Sequence, residues 1–167
     1  NREKTLMKRK IYDELIAWKN DGADKTALLI DGARRVGKSF IAESFAKNEY
    51  KSYILVDFNR AGTEIRDLFE HYLNDLDTLF MYLSGYYNVK LYKGESLIIF
   101  DEVQLFPRAR AAIKYLVADG RYHYMETGSL MSIKMNVRDI VIPSEERHIR
   151  MYPMDFEEFL WAMENNT

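Results

Sequence analysis

Eight consecutive residues, Gly32-Ala33-Arg34-Arg35-Val36-Gly37-Lys38-Ser39, fit the pattern G-x-x-x-x-G-K-[ST]. The chemistry of that pattern is phosphate binding. Its glycines let backbone N–H groups curl around phosphate oxygens, and the positive end of a following helix adds to the attraction. In such a loop Lys38 reaches the β- and γ-phosphates of a nucleotide, and the Ser39 hydroxyl ligates Mg²⁺. Phe40, next in the chain, is grouped with the loop as a nucleotide-binding position. The setting fits: Ala27-Leu28-Leu29-Ile30 reads as a short buried strand, and Phe40 to Lys47 as a helix with Ile41 and Phe45 on one face. A chance glycine-rich turn would lack both flanks.

A second cluster lies on another predicted strand. Ser96-Leu97-Ile98-Ile99-Phe100 runs apolar into the adjacent carboxylates Asp101 and Glu102. A continuous apolar run marks a strand covered on both faces, and ligands of open α/β sheets bind at the carboxyl ends of such strands. Asp101 is placed to hold Mg²⁺ through a water. Glu102 is placed to polarise the water that attacks a γ-phosphate. A glutamate directly after the Mg²⁺ aspartate argues against a GTPase or nucleotide kinase. The guanine-reading pattern Asn-Lys-x-Asp is also missing, since Asn136-Val137-Arg138-Asp139 lacks the lysine. A small-molecule kinase stays open as an alternative, although no substrate pocket is legible.

These groups need a scaffold, and 167 residues are enough for one domain, here 1–167, with residues 1–22 as an N-terminal helix and linker within it. Hydrophobic residues make up 47%, enough for a sizeable core, and a net charge of −2 gives no global pull toward nucleic acid or membrane. A local basic patch is still allowed. Without cysteine the chain has neither disulfides nor thiolate metal sites, which fits a reducing cytoplasm. His71, His123 and His148 show no ligand spacing. No apolar run approaches the ~18 residues of a membrane span.

Strands and helices alternate. Lys8–Lys19 is a helix presenting Ile11, Leu15 and Trp18. Tyr53–Phe58 is a second strand. Thr63–Leu83 is helical, with Asn74-Asp75 as the candidate break. Pro107 opens a helix whose buried stripe is Ala109, Ala112, Ile113, Leu116 and Val117, and Gly120 ends it. Tyr122–Thr127 is a fourth strand and His148–Tyr152 a fifth. Asp155 caps a last helix with Glu158 three residues on; Phe156, Phe159, Leu160 and Met163 form its apolar face. The expected fold is α/β: a three-layer α/β/α P-loop sandwich around a mostly parallel five-stranded sheet.

With these segments placed, the chain resembles the ATPase domain of AAA-type bacterial and archaeal ATPases that carry a C-terminal domain of unknown function, often likened to restriction-endonuclease folds. The resemblance rests on the Gly32–Ser39 loop, Phe100-Asp101-Glu102-Val103-Gln104-Leu105-Phe106-Pro107, Glu126-Thr127-Gly128-Ser129, and Met151-Tyr152-Pro153-Met154-Asp155-Phe156-Glu157-Glu158-Phe159-Leu160. The stretch through Asp101–Pro107 and the one from Tyr152 to Leu160 are more specific than the loop. The resemblance implies an ATPase in which Thr127 or Ser129 closes the fourth strand as a γ-phosphate sensor. It also implies an arginine supplied by a neighbouring subunit, and so a homo-oligomer, with Arg147 the first candidate and Arg150 the second. Asn59 is a candidate for holding Glu102 inactive until a partner arrives. Family members continue beyond this domain, so a fragment of a longer protein is expected. A following helical lid and a second sensor arginine are not expected within residues 1–167.

The leading expectation is a Mg²⁺-dependent ATP-hydrolysing motor or switch domain, with DNA or another protein as its client and no membrane. A binding module for which ATP is only a conformational ligand is the first alternative.

Overall fold

Strands as apolar as Ala27-Leu28-Leu29-Ile30 and Ser96–Phe100 need cover on both faces. The computed structural model, which describes residues 10–32, 37–129, 146–151 and 159–164, provides it. The strands are β1 (Ala27–Asp31), β2 (Ser52–Asp57), β3 (Ser96–Asp101), β4 (His123–Gly128) and β5 (Glu146–Arg150). They form one sheet in the order β2-β3-β4-β1-β5, and every pairing is parallel. The helices are α1 (Lys10–Asp21), α2 (Lys38–Glu49), α3 (Thr63–His71), α4 (Leu76–Tyr87) and α5 (Pro107–Asp119), with a 3-10 turn at Val103–Leu105. Residues 159–164 are also helical.

Alternation along each strand sorts the core into two layers. Ala27, Leu29, Ile54, Val56, Ile98, Phe100 and Tyr124 pack with side chains of α3, α4 and α5. Leu28, Ile30, Leu97, Ile99 and Met125 pack with α1 and α2, joined by Phe159 and Ala162. The P-loop three-layer α/β/α architecture is therefore present, with a sheet that is wholly rather than mostly parallel. The chain leaves β1 for the far edge at β2 but leaves β4 past β1 to β5. Connections thus diverge at the carboxyl ends of β1 and β4, where such sheets open a crevice for ligands.

Several element boundaries differ from the sequence reading. The Thr63–Leu83 stretch does divide near Asp75, whose side chain caps α4 by accepting from the Thr78 N–H at 3.3 Å. The fifth strand begins at Glu146, two residues before the expected His148, so Arg147 lies within it rather than ahead of it. Lys8, the Asp155 cap and Phe156 fall outside the described residues.

The early start of β5 has a physical cause. Arg110 occupies the buried side of α5 beside the expected Ala109–Ala112–Ile113 stripe and is 1% exposed. Its guanidinium donates to Glu146 Oε2 at 2.5 Å and Oε1 at 2.8 Å, and reaches Glu126 Oε1 at 3.4 Å. His148 Nε2 also meets Glu146 Oε1 at 2.5 Å. Two carboxylates thus share one cation. Burial, with Glu146 alongside, pushes the Glu126 carboxyl well above its ordinary range. Glu146 is lowered: burial opposes that shift, and the hydrogen bonds from Glu126 and Arg110 outweigh it.

Removing one member of a buried ionic cluster strands the others, whereas replacing the whole cluster by apolar groups does not. Arg110→Met alone is therefore expected to lose about 3–5 kcal/mol of stability. Arg110→Met with Glu126→Leu and Glu146→Leu should recover most of that loss. Urea unfolding of the two variants checks the order.

Candidate phosphate-binding site

The loop after β1 begins at Gly32, and its backbone N–H donates to the Gly128 carbonyl of β4 at 3.3 Å. On the other side of β1, Met151 N–H donates to the Asp31 carbonyl at 2.6 Å. The end of β1 is thereby gripped from both neighbouring strands. Ala33, Arg34, Arg35 and Val36 lie outside the described residues. The loop re-enters at Gly37, whose φ of 90° and ψ of 18° are left-handed, a conformation that favours glycine. Gly37 caps α2 without a side-chain hydrogen bond, leaving the start of that helix without a side-chain acceptor of its own.

Lys38 and Ser39 therefore occupy the first turn of α2, with Phe40 half exposed beside them. Lys38 is 3% exposed, and its Nζ donates to the Gly32 carbonyl at 2.6 Å. A buried ammonium is tolerable only when hydrogen-bonded, and the first glycine of the loop supplies that bond. Ser39 Oγ donates to Asp101 Oδ1 at 2.6 Å across 62 residues of sequence.

Asp101 closes β3 and accepts a second hydroxyl, Thr127 Oγ1 from β4, on the same oxygen at 2.5 Å. Burial pushes the Asp101 carboxyl up; the Ser39 and Thr127 hydrogen bonds pull it back, and Asp57 and Glu102 push it up again. Asp57 is its register partner at the end of β2. Three carboxylates thus collect at the ends of two adjacent strands.

Thr127 is fully buried, and its hydroxyl works in both directions: it donates to Asp101 and accepts the Glu102 N–H at 3.0 Å. Ser129 lies just beyond β4 and is half-buried. Glu102 leaves the strand in a left-handed conformation, φ 56° and ψ 52°, uncommon for a residue with a side chain. Its Oε2 accepts from Gln104 Nε2 at 2.5 Å. Asn59, the sequence candidate for holding Glu102, is exposed, and its backbone N–H instead donates to Asp57 Oδ1 at 2.9 Å. The side chain at the Glu102 carboxylate is Gln104, which the sequence reading missed. Its only signal was membership of the Phe100–Pro107 stretch.

The structure brings together Gly32, Lys38, Ser39, Asp101, Glu102 and Thr127. It does not bring Arg147 to them. Arg147 pairs with Leu28, and a Cβ on Gly22 would lie 3.4 Å from its guanidinium. That places it at the start of the strands, the opposite end of the sheet from Asp101. Arg150 pairs with Asp31, at the phosphate-loop end.

Comparison with known families agrees with this geometry. The chain matches the family described as an AAA domain over residues 24–160. It belongs to that family and is a P-loop, nucleotide-binding domain of the AAA type. A comparison with curated proteins gives no match. Among the described residues, no helix is long and apolar enough to cross a membrane.

The raised Asp101 carboxyl carries a prediction about stability. A carboxyl raised in the folded state favours folding when protonated, so its contribution falls as pH climbs through and above the usual carboxylate range. Asp101→Asn keeps an oxygen for both hydroxyls and removes the buried charge. The nucleotide-free variant is expected to melt above the wild type near ~pH 8, with the gap closing toward ~pH 4. Thermal melts across that range are the check.

Proposed function

We propose that this domain binds ATP with Mg²⁺ and hydrolyses it, driving or switching a client that is DNA or another protein. The observation that carries the reading is the meeting of Ser39 and Asp101 at 2.6 Å, with Lys38, the preceding residue, holding a buried ammonium on the Gly32 carbonyl. The positions proposed for phosphate and for metal, far apart in sequence, thus meet at one rim of the sheet.

The donor set suits Mg²⁺. It consists of hard oxygens, a hydroxyl and a carboxylate, and Mg²⁺ typically takes one or two carboxylates together with substrate phosphates. The crowding of Asp57 and Glu102 around Asp101 is a surplus of negative charge that a cation would offset. Ser39 and Asp101 would hold the ion, which supplies charge neutralisation for the transferring phosphoryl group. Lys38 binds the β- and γ-phosphates, and the first turn of α2 turns its N–H groups and dipole toward them. Glu102 draws a proton from the attacking water. Adenine rather than guanine rests on the missing guanine-reading pattern and on the resemblance. A cytoplasmic setting rests on the cysteine-free composition.

Thr127 acts here through Asp101 and Glu102, while Ser129 is the better placed of the two to meet a γ-phosphate. The arginine of the transition state would come from a second copy of the chain. Arg147 is the first candidate on the resemblance, and Arg150, at the phosphate-loop end of β5, is the second.

ATP with Mg²⁺ at a hundredfold excess over Kd is expected to raise Tm by roughly 5–10 °C. Lys38→Ala should abolish the shift. Glu102→Gln should keep it while phosphate release falls by ~10²–10⁴. If Glu102→Gln turns over at the wild-type rate, the hydrolytic reading fails. Transfer to a small-molecule acceptor instead of water would favour a kinase.

A separate mixing experiment addresses the partner arginine, whose contribution in related chemistry is ~10³–10⁵ in rate. Arg147→Ala and Lys38→Ala subunits should each be inactive alone and regain activity when mixed, because one interface then has both residues intact. No recovery between subunits that demonstrably associate removes Arg147 from the site.

A further inference from the structure

Gln104 is buried to 3% exposure, yet only one end of its amide is satisfied. Nε2 donates to Glu102 Oε2 at 2.5 Å, whereas Oε1 is buried with no hydrogen-bond partner. The orientation is not interchangeable, because an ionised carboxylate only accepts and must face the amide nitrogen. Buried polar atoms are almost always paired, so an amide kept in the core with its oxygen unpaired calls for a reason outside stability.

The surroundings hold this amide in place. Val103 and Phe106 on either side are in the core beneath α3 to α5. Arg66 of α3 donates to the Leu105 carbonyl at 3.4 Å and to the Phe58 carbonyl at 3.1 Å, and its guanidinium lies 4.9 Å from the centre of the Phe106 ring. The 3-10 turn is thus clamped to β2 and α3. Glu102 is in turn fixed at two points, its N–H by Thr127 and its Oε2 by Gln104. Its Oε1 carries no hydrogen bond among the described residues.

We propose that Gln104 is a positioning residue for Glu102: from a clamped 3-10 turn its amide holds one carboxylate oxygen, leaving the other presented to the attacking water. The inference rests on Glu102 being the base of a hydrolytic site. Gln104 acts through Glu102, its one hydrogen-bond partner among the described residues.

The test compares Gln104→Met, of similar length but without a donor, with the wild type, Glu102→Ala and the double variant. Expected for Gln104→Met is a ~10- to 100-fold fall in kcat with KM for ATP and the ATP-induced melting shift unchanged. Its nucleotide-free Tm should be equal or raised by about 2–4 °C, because the unpaired oxygen is gone. In the Glu102→Ala background the same substitution should cost nothing further in single-turnover rate, since its effect passes through the missing carboxylate. A purely structural glutamine would lower Tm and add to the Glu102→Ala loss, and either result overturns the proposal. So does an unchanged or increased kcat. Failure of the underlying reading is distinct: Glu102→Ala would then hydrolyse normally.

Discussion

One carboxylate oxygen organises this domain. Asp101 Oδ1 accepts a hydroxyl from α2 and another from β4, so three elements that are remote in sequence meet at one atom. Charge-assisted bonds of this kind are short and directional. They fix how far α2 advances over the sheet and therefore where Lys38 sits. Through Thr127 the same atom also governs the backbone of Glu102. The parallel sheet makes this convergence possible, because it delivers the carboxyl ends of β1, β3 and β4 to one rim.

Away from that rim, the sheet contains a second polar centre in an otherwise apolar layer. Arg110 joins α5 to β4 and to the edge strand β5, and Glu126 immediately precedes Thr127. The two polar centres therefore meet along one strand, on its opposite faces. Strand β5 contributes few buried residues of its own, and the ion pair compensates by tying it to the helical layer.

How much could be read from the chain depended on whether a signal was local. The spacing of Lys38 and Ser39 behind two glycines and the apolar runs into Asp31 and Asp101 are local, and they carried the fold and most of the candidate site. Gln104 was hidden because it returns to Glu102 only through a left-handed residue and a 3-10 turn, neither of which glutamate, valine and glutamine advertise. Arg110 was hidden for a related reason: an arginine beside an apolar stripe looks like a solvated edge until two distant acids are folded against it. The same acids account for the displaced start of β5, since Glu146 resembles a loop residue in sequence but is a core ligand of Arg110 in space. Asn59 stood just past the strand neighbouring Asp101, but its backbone turns toward Asp57 instead.

The contact between Lys38 and Gly32 means that the motif supplies an acceptor to its own lysine. On the proposed reading, a phosphate bound by Lys38 would take the place of a carbonyl that already accepts one of the three ammonium protons. Binding would then be an exchange: a neutral polar molecule would offer Lys38 no more than the carbonyl it gives up, whereas a multiply charged phosphate would. The first glycine of the motif thereby serves as a reference acceptor, a threshold any occupant must exceed.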